Sequence, residues 1–462
     1  MSNFWDFSVW SWMMMFAILL GSLLIGNIIK KGIPLLKNSL IPTSVLSGGI
    51  LLIVAAIYKA IIGEVMFDSE IFGGNGTSSL EILTYHALAL GFIASSFKTT
   101  GGKITKQRSS EILNTGITTV STYLLQGIVG MGITMIAALV ISGFFPAAGV
   151  LLPFGFGQGT GQALNYGNIY EQEFGFVGGK SFGLTIAALG FLSAAMGGVI
   201  HLSVKKRRGR IVKSKRSDGS LHTEKVESIG EIPMTESVDK MTIQIALIVV
   251  AYIITYLIML VLGNLLPGLR SVIYGFNFLF GVLVATLIKL TLNFLRRKKI
   301  VRKKYNNNFL MTRVSNFFFD LMIVAGVAAI RLEALEKYWV ILLILGSVGL
   351  IITFVYNKII ARRLFPDYSE EQFLMMYGML TGTASTGIML LREIDSEFKT
   401  PASDNMVYQN FPAIVLGFPM MFLATLAPQR PVLTLIIFVL FFTVLNIVLF
   451  RKKIFVKKKK SE

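Results

Sequence analysis

PFGFGQGTGQALNYG, from Pro153 to Gly167, is the stretch on which the reading of this chain turns. It is rich in glycine, carries Gln158, Thr160, Gln162 and Asn165, and contains no charge. Two strongly apolar runs flank it, 118–145 and 174–202. Backbone this flexible cannot face lipid, because each unpaired N–H or C=O would cost several kcal/mol. It is therefore expected to be buried in protein or to line a wet cavity. A second stretch of the same kind, GMLTGTASTGIMLLREID, runs from Gly378 to Asp395. Two such segments in corresponding halves of a membrane chain point to a transporter site built from interrupted helices.

The membrane assignment rests on composition. Of 462 residues, 53% are hydrophobic and 15% charged, against about 25% charged in soluble domains. Apolar segments of about 20 residues recur, long enough for spanning helices and too long for barrel strands. The chain has no cysteine, so disulfides and thiolate metal sites are excluded. His86, His201 and His222 are scattered, which argues against a histidine metal centre. The net charge of +19 comes from Lys and Arg clustered at span ends, which topology explains without nucleic acid. No Lys or Arg precedes the first apolar run, so a signal peptide is not expected; Trp5, Trp10 and Trp12 read as interfacial anchors.

Taken in order, spans are predicted over 9–29, from 41 to the acidic loop at Glu64, over 82–96, 115–145 and 174–202. A polar basic loop, 204–240, follows without apolar periodicity and reads as mobile. Further spans are predicted over 241–262, 272–294, 309–330, 338–360, 406–427 and 431–450. With the amino terminus outside, every dense basic cluster falls on the cytoplasmic side. The first span then runs inward and the sixth outward. The first Gly-Thr segment enters from outside and the second from inside. The expected fold is an all-α polytopic membrane protein with two inverted repeats of five helices. Repeat one is 1–203, with a re-entrant segment at 146–167; repeat two is 241–427, with one at 374–395. An extra helix and Lys-rich cytoplasmic tail occupy 428–462.

GQGTGQA (Gly157–Ala163), TGTASTG (Thr381–Gly387) and IPTSVLSGG (Ile41–Gly49), in this order, resemble the bacterial sodium:glutamate symporter family. The resemblance covers about 9–427. It implies a sodium-coupled importer of glutamate, without other cofactors, working as a homodimer in the bacterial inner membrane. It also implies that the re-entrant segments form the substrate site in a domain that moves against a scaffold, as in an elevator. The chain departs from the family's pattern at Gln158, where better-known members carry His, and in its loop 204–240 and last helix. These departures leave open a carrier for another amino acid or a dicarboxylate.

The residue types suit an amino acid and sodium. Half-helix amino termini favour a carboxylate. Gly157, Gly159, Gly161, Gly382 and Gly387 let backbone approach a ligand without a Cβ in the way. Gln158, Gln162, Thr381 and Thr386 complete the polar set. Carbonyls at the breaks, with the hydroxyls of Thr160, Thr383, Thr386 and Ser385, can supply oxygen to Na⁺. The alternative is that these small residues only pack helices. Arg392 can pair with a substrate carboxylate, or serve as an interface Arg paired with Glu393 or Asp395. Asp320, mid-span, is either a ligand for Na⁺ or a proton, or a protonated, hydrogen-bonded carboxyl. His86 reads as a satisfied polar residue, and Gln409 and Asn410 as cavity lining. Gly157–Gly161 is not a phosphate loop, since no Gly-Lys-Ser/Thr follows. An enzyme is not expected, for want of a convergent acid/base or metal cluster, and nothing suggests a channel pore on a symmetry axis.

Overall fold

The computed structural model describes residues 3–38, 41–98, 106–207, 231, 238–395 and 399–451. Among these residues the chain is all-helical, with no strand beyond one isolated bridge between Glu231 and Lys304. The first half holds α1 (Phe7–Gly32), α2 (Pro34–Asn38), α3 (Thr43–Ile62), α4 (Gly76–Phe97), α5 (Lys106–Val140), α6 (Leu151–Phe174) and α7 (Gly179–Arg207). Next come α8 (Lys240–Leu265), α9 (Arg270–Gly275), α10 (Asn277–Arg297), α11 (Asn308–Ala328) and α12 (Trp339–Leu364). The last are α13 (Ser369–Thr381), α14 (Ala384–Arg392), α15 (Ala402–Tyr408), α16 (Asn410–Leu426) and α17 (Pro431–Leu449).

Ten helices among the described residues are long and apolar enough to cross a membrane, and α15 with α16 makes an eleventh candidate bent by 51°. Their outward faces carry large apolar side chains such as Leu139, Ile28 and Leu287. Lipid hydrocarbon accepts such faces without penalty, so the molecule is a multi-pass membrane protein.

Four sequence expectations shift. The stretch 153–167, expected to be flexible backbone in a re-entrant segment, is mostly helix, because residues on both sides of a single break keep their intrahelical bonds. The helix predicted from 174 starts at Gly179 instead: Gly175 and Gly178, at φ +69° and +80°, turn the chain between α6 and α7. The span predicted over 406–427 is the bent pair, since Pro412 has no N–H to give the carbonyl of Tyr408. The basic loop predicted over 204–240 begins later, α7 continuing to Arg207; most of it, 208–230 and 232–237, lies outside the described residues, as does the tail 452–462.

The chain divides into two compact units. Unit one takes Met1–Leu24, Ser47–Lys103 and Ser217–Ala329. Its core packs Ile93, Ala94 and Phe97 of α4 against Ile248, Val284 and Met311 of α8, α10 and α11. Gly91 admits the ring of Phe319, and Ser315 donates to the Gly91 carbonyl at 2.9 Å. Glu231, almost fully buried, lies between Lys240 at 3.0 Å and Lys304 at 3.2 Å.

Unit two takes Ile25–Leu46, Ile104–Arg216 and Ile330–Glu462. Here α6 and α7 pack backbone to backbone: a Cβ on Gly179 would lie 2.7 Å from the Gly167 carbonyl. Small residues are what permit such approach where water supplies no driving force between helices. Both Gly-Thr segments fall in this unit.

Candidate functional site

The first break is one residue wide. Gly159 sits at φ 79° and ψ −171° within α6, a conformation essentially reserved for glycine. A break of this kind strips intrahelical partners from the carbonyls before it and the N–H groups after it. Tyr123 of α5 reaches one of those carbonyls, its hydroxyl donating to Gly157 O at 3.1 Å. Thr160, Gly161 and Gln162 are buried, and Gly157 and Gln158 half-buried. Gln162 is 1% exposed, yet neither its Nε2 nor its Oε1 has a hydrogen-bonding partner among the described residues. Buried amides in folded proteins are normally hydrogen-bonded, which singles out Gln162 as a candidate site residue.

The second break lies between α13, ending at Thr381, and α14, starting at Ala384. The two helices form a hairpin: a Cβ on Gly378 would come 2.8 Å from Gly387 Cα. At its tip, Thr381 turns its hydroxyl back to the Tyr377 carbonyl (2.6 Å), and the Thr383 and Thr386 hydroxyls stand 3.3 Å apart. Gly382 is tucked against Thr386, where a Cβ would sit 2.9 Å from Oγ1. The side chain of Ser385 lies outside the described residues.

Gly190 of α7 brings the two breaks together. A Cβ there would lie 2.6 Å from the Thr381 carbonyl and 3.1 Å from Phe156 Cα. Thr381 ends α13, and Phe156 lies less than one turn before Gly159. Gln409, at the α15–α16 bend, is buried with its Nε2 3.6 Å from Met379 Sδ, one turn before the hairpin tip. Its Oε1 also lacks a partner among the described residues.

Other candidates lie apart. Arg392 is exposed at the last residue of α14, which puts it about 13 Å along the helix from the tip. Asp395 caps the turn that follows it, accepting from Lys399 N (2.8 Å) and from Thr400 N (2.9 Å) and Oγ1 (2.6 Å). Asp320 is exposed on α11, in unit one. His86 is hydrogen-bonded to the Tyr252 hydroxyl at 2.7 Å. At the base of the hairpin, His201 and Lys205 of α7 hold Glu370 at 2.7 and 2.6 Å. The hydrogen bond from His201, with help from Lys205, overrides burial and lowers the carboxyl to about 2.

The sequence reading passes over Gln126 and Tyr123 of α5. Gln126 Nε2 donates to Leu380 O at 3.0 Å, just before the hairpin tip, and to Thr353 Oγ1 of α12 at 2.8 Å. An amide in the middle of an apolar span is itself a signal, because polar groups there serve other helices or a ligand. No curated protein matches the chain. Residues 10–400 match the sodium/glutamate symporter family. That match spans most of the chain and contains both breaks, the Gly190 contact and the Gln162 amide: this protein belongs to the sodium/glutamate symporter family.

Proposed function

We propose that this protein imports L-glutamate with Na⁺ across the bacterial inner membrane, with the solute held between the Gly159 and Gly382–Thr383 breaks. The observation that carries this reading is the meeting of both breaks at Gly190, in one unit whose other buried amides include the unpartnered Gln162. The amino-terminal ends that restart at Thr160 and Ala384 present N–H groups and partial positive charge to carboxylates. Gln162 and Gln158 orient the solute. The hydroxyls of Thr160, Thr383 and Ser385, with carbonyls released at the breaks, supply hard oxygen ligands to Na⁺. Gly157, Gly161, Thr381, Thr386 and Gly387 shape the backbone around them. Arg392 and Asp320 are assigned to no contact in this site.

The inverted repeat, 1–203 and 241–427, is supported by how the units recruit helices. α4 joins α8, α10 and α11 in unit one, whereas α5, α6 and α7 join α12 to α16 in unit two. Each half thus gives its fourth span, broken helix and fifth span to the unit that holds the site. A carrier with one moving and one fixed unit, homodimeric and of the elevator type, is the mechanism we assign. Extra helix α17 and the basic segment 204–240 are additions to that plan.

Gln158, where the better-known members of the family carry His, favours a second reading in which another small anion is the solute. Labelled glutamate uptake into proteoliposomes, under an inward Na⁺ gradient and under an equal K⁺ gradient, tests both. Sodium-dependent accumulation supports the proposal. Sodium-driven uptake of another anion that glutamate fails to compete away would replace it with the second reading.

A further inference from the structure

Helix α17 lies beyond the residues 10–400 that match the family, yet it is built into unit two. Phe438, fully buried, packs on Gly127 of α5, where a Cβ would lie 3.2 Å from its ring. Tyr356 of α12 donates to Asn446 Oδ1 at 2.9 Å. Two residues past α17, Arg451 donates to Asn114 Oδ1 at 3.1 Å and reaches Ser110 Oγ at 3.5 Å, both on α5. Those two α5 residues also line a cavity of about 490 Å³ within the same unit. The end of α17 therefore delivers the chain to the edge of that cavity.

The cavity has an apolar and an acidic wall. Leu364 and Pro366, at the end of α12 and in the turn after it, supply the first, and Glu111 and Asp367 the second. Glu111 is already met by Arg108 at 2.9 Å and by the Tyr368 hydroxyl at 2.9 Å. Asp367 is exposed and pairs with no cation among the described residues. Helix α12 ends on the cavity wall at Leu364, and its carboxyl-terminal dipole adds partial negative charge there. Arg362 and Arg363, in its last turn, are exposed and do not line the cavity.

We infer that this cavity is the docking site of the chain's own segment 452–462, KKIFVKKKKSE. The segment has six lysines, one glutamate, and an apolar triplet, Ile454-Phe455-Val456, between its two lysine runs. Phe455 is four residues past Arg451, and four residues of chain span at most about 14 Å. The triplet is thus tethered close to an anchor on the cavity edge. It matches the wall of Leu364 and Pro366, and the lysines match Asp367 and the end of α12. A seated segment straps the start of α5 to the turn that leads into α13. Polar contacts already join these parts: Asn405 Nδ2 donates to the Tyr368 hydroxyl at 2.9 Å, and Gln372 of α13 to Thr115 of α5 at 3.2 Å. Docking adds to what holds the base of the hairpin that bears the second break, whichever solute is carried. A basic run with an apolar centre also suits an anionic bilayer surface, and the test separates the two.

The chain has no cysteine, so an introduced pair reports docking. Gln107→Cys, at an exposed position of the cavity wall, is combined with Phe455→Cys in purified full-length protein, in detergent and in phosphatidylcholine vesicles. Mild oxidation is expected to close an intramolecular disulfide, with maleimide labelling falling at least fivefold and no dimer on a non-reducing gel. Adding Asp367→Lys should slow closure at least fivefold, and adding Lys457→Glu with Lys458→Glu to that should restore it. Where the cysteine pair does not fold, trypsin serves instead. It should cut after Lys457 to Lys460 at least fivefold more slowly in wild type than in Asp367→Lys. Thiols that stay free, a disulfide between two copies, or an Asp367→Lys protein indistinguishable from its parent would overturn the docking. So would protection that appears only with phosphatidylglycerol in the vesicles, which would give the segment to the lipid surface.

Discussion

At the scale of single residues, Gln162 separates function from folding more sharply than any glycine nearby. Its amide is buried beside the Gly159 break with both polar atoms unpartnered. An unsatisfied buried group costs about 1–3 kcal/mol, and replacing it with an apolar side chain of similar size is neutral or stabilising. Gln162→Leu is therefore expected to leave the melting temperature unchanged or raise it, while uptake falls at least tenfold. A variant that melts higher and still transports at the wild-type rate would remove Gln162 from the site. Gly159 offers no such separation. At φ 79° and ψ −171° any Cβ is strained, so loss of fold and loss of transport would coincide.

At the scale of elements, what matters is how α7 holds the two broken helices. Gly190 faces the end of α13 and the carbonyl side of the α6 break at once. An alanine there would set its Cβ 2.6 Å from the Thr381 carbonyl, and backbone cannot give way as a side-chain end can. Overpacking of this sort typically costs about 1–3 kcal/mol. Gly190→Ala should lower the melting temperature by a few degrees and raise the half-saturating concentrations of Na⁺ and solute together, measured by uptake. Unaltered half-saturation for both would mean that the breaks need not stay apposed. At the other end of the hairpin, Glu370 fastens α13 to His201 and Lys205. With its carboxyl lowered from 4.5 to about 2, chiefly by the His201 hydrogen bond, this clamp contributes stability above pH 4.5 that is lost as pH falls toward 2.

Across the whole molecule, charge sets the direction of insertion. Basic clusters lie at the carboxyl-terminal ends of α1, α7, α10 and α12 and are absent before α1. The chain contains no cysteine, so single-cysteine variants report orientation without background. Ser8→Cys, at the start of α1, should react with a membrane-impermeant maleimide in intact cells. Lys298→Cys, just past α10, should react only after the membrane is permeabilised. Labelling of both from outside would reverse or break the proposed topology.

Much of this molecule was legible in the sequence, and physics says which part. Spans are visible because hydrocarbon demands about 20 apolar residues and helical self-pairing of every backbone group. The break regions are visible because glycine and threonine at membrane depth have few other uses, and the family resemblance agrees with the match over 10–400. The bend at Gln409 and the turn at 175–178 were missed, because one proline's lost hydrogen bond and two glycine φ angles leave hydropathy unchanged. Only the tertiary structure could decide which polar residues meet. Gln126, Asn357, Thr122 and Thr353 look like isolated exceptions along two apolar helices, and Gly190 like one small residue among many. Their meaning lies in contacts between different helices, the amide–threonine pairs being 227 and 235 positions apart, which side-chain periodicity along a single helix cannot encode.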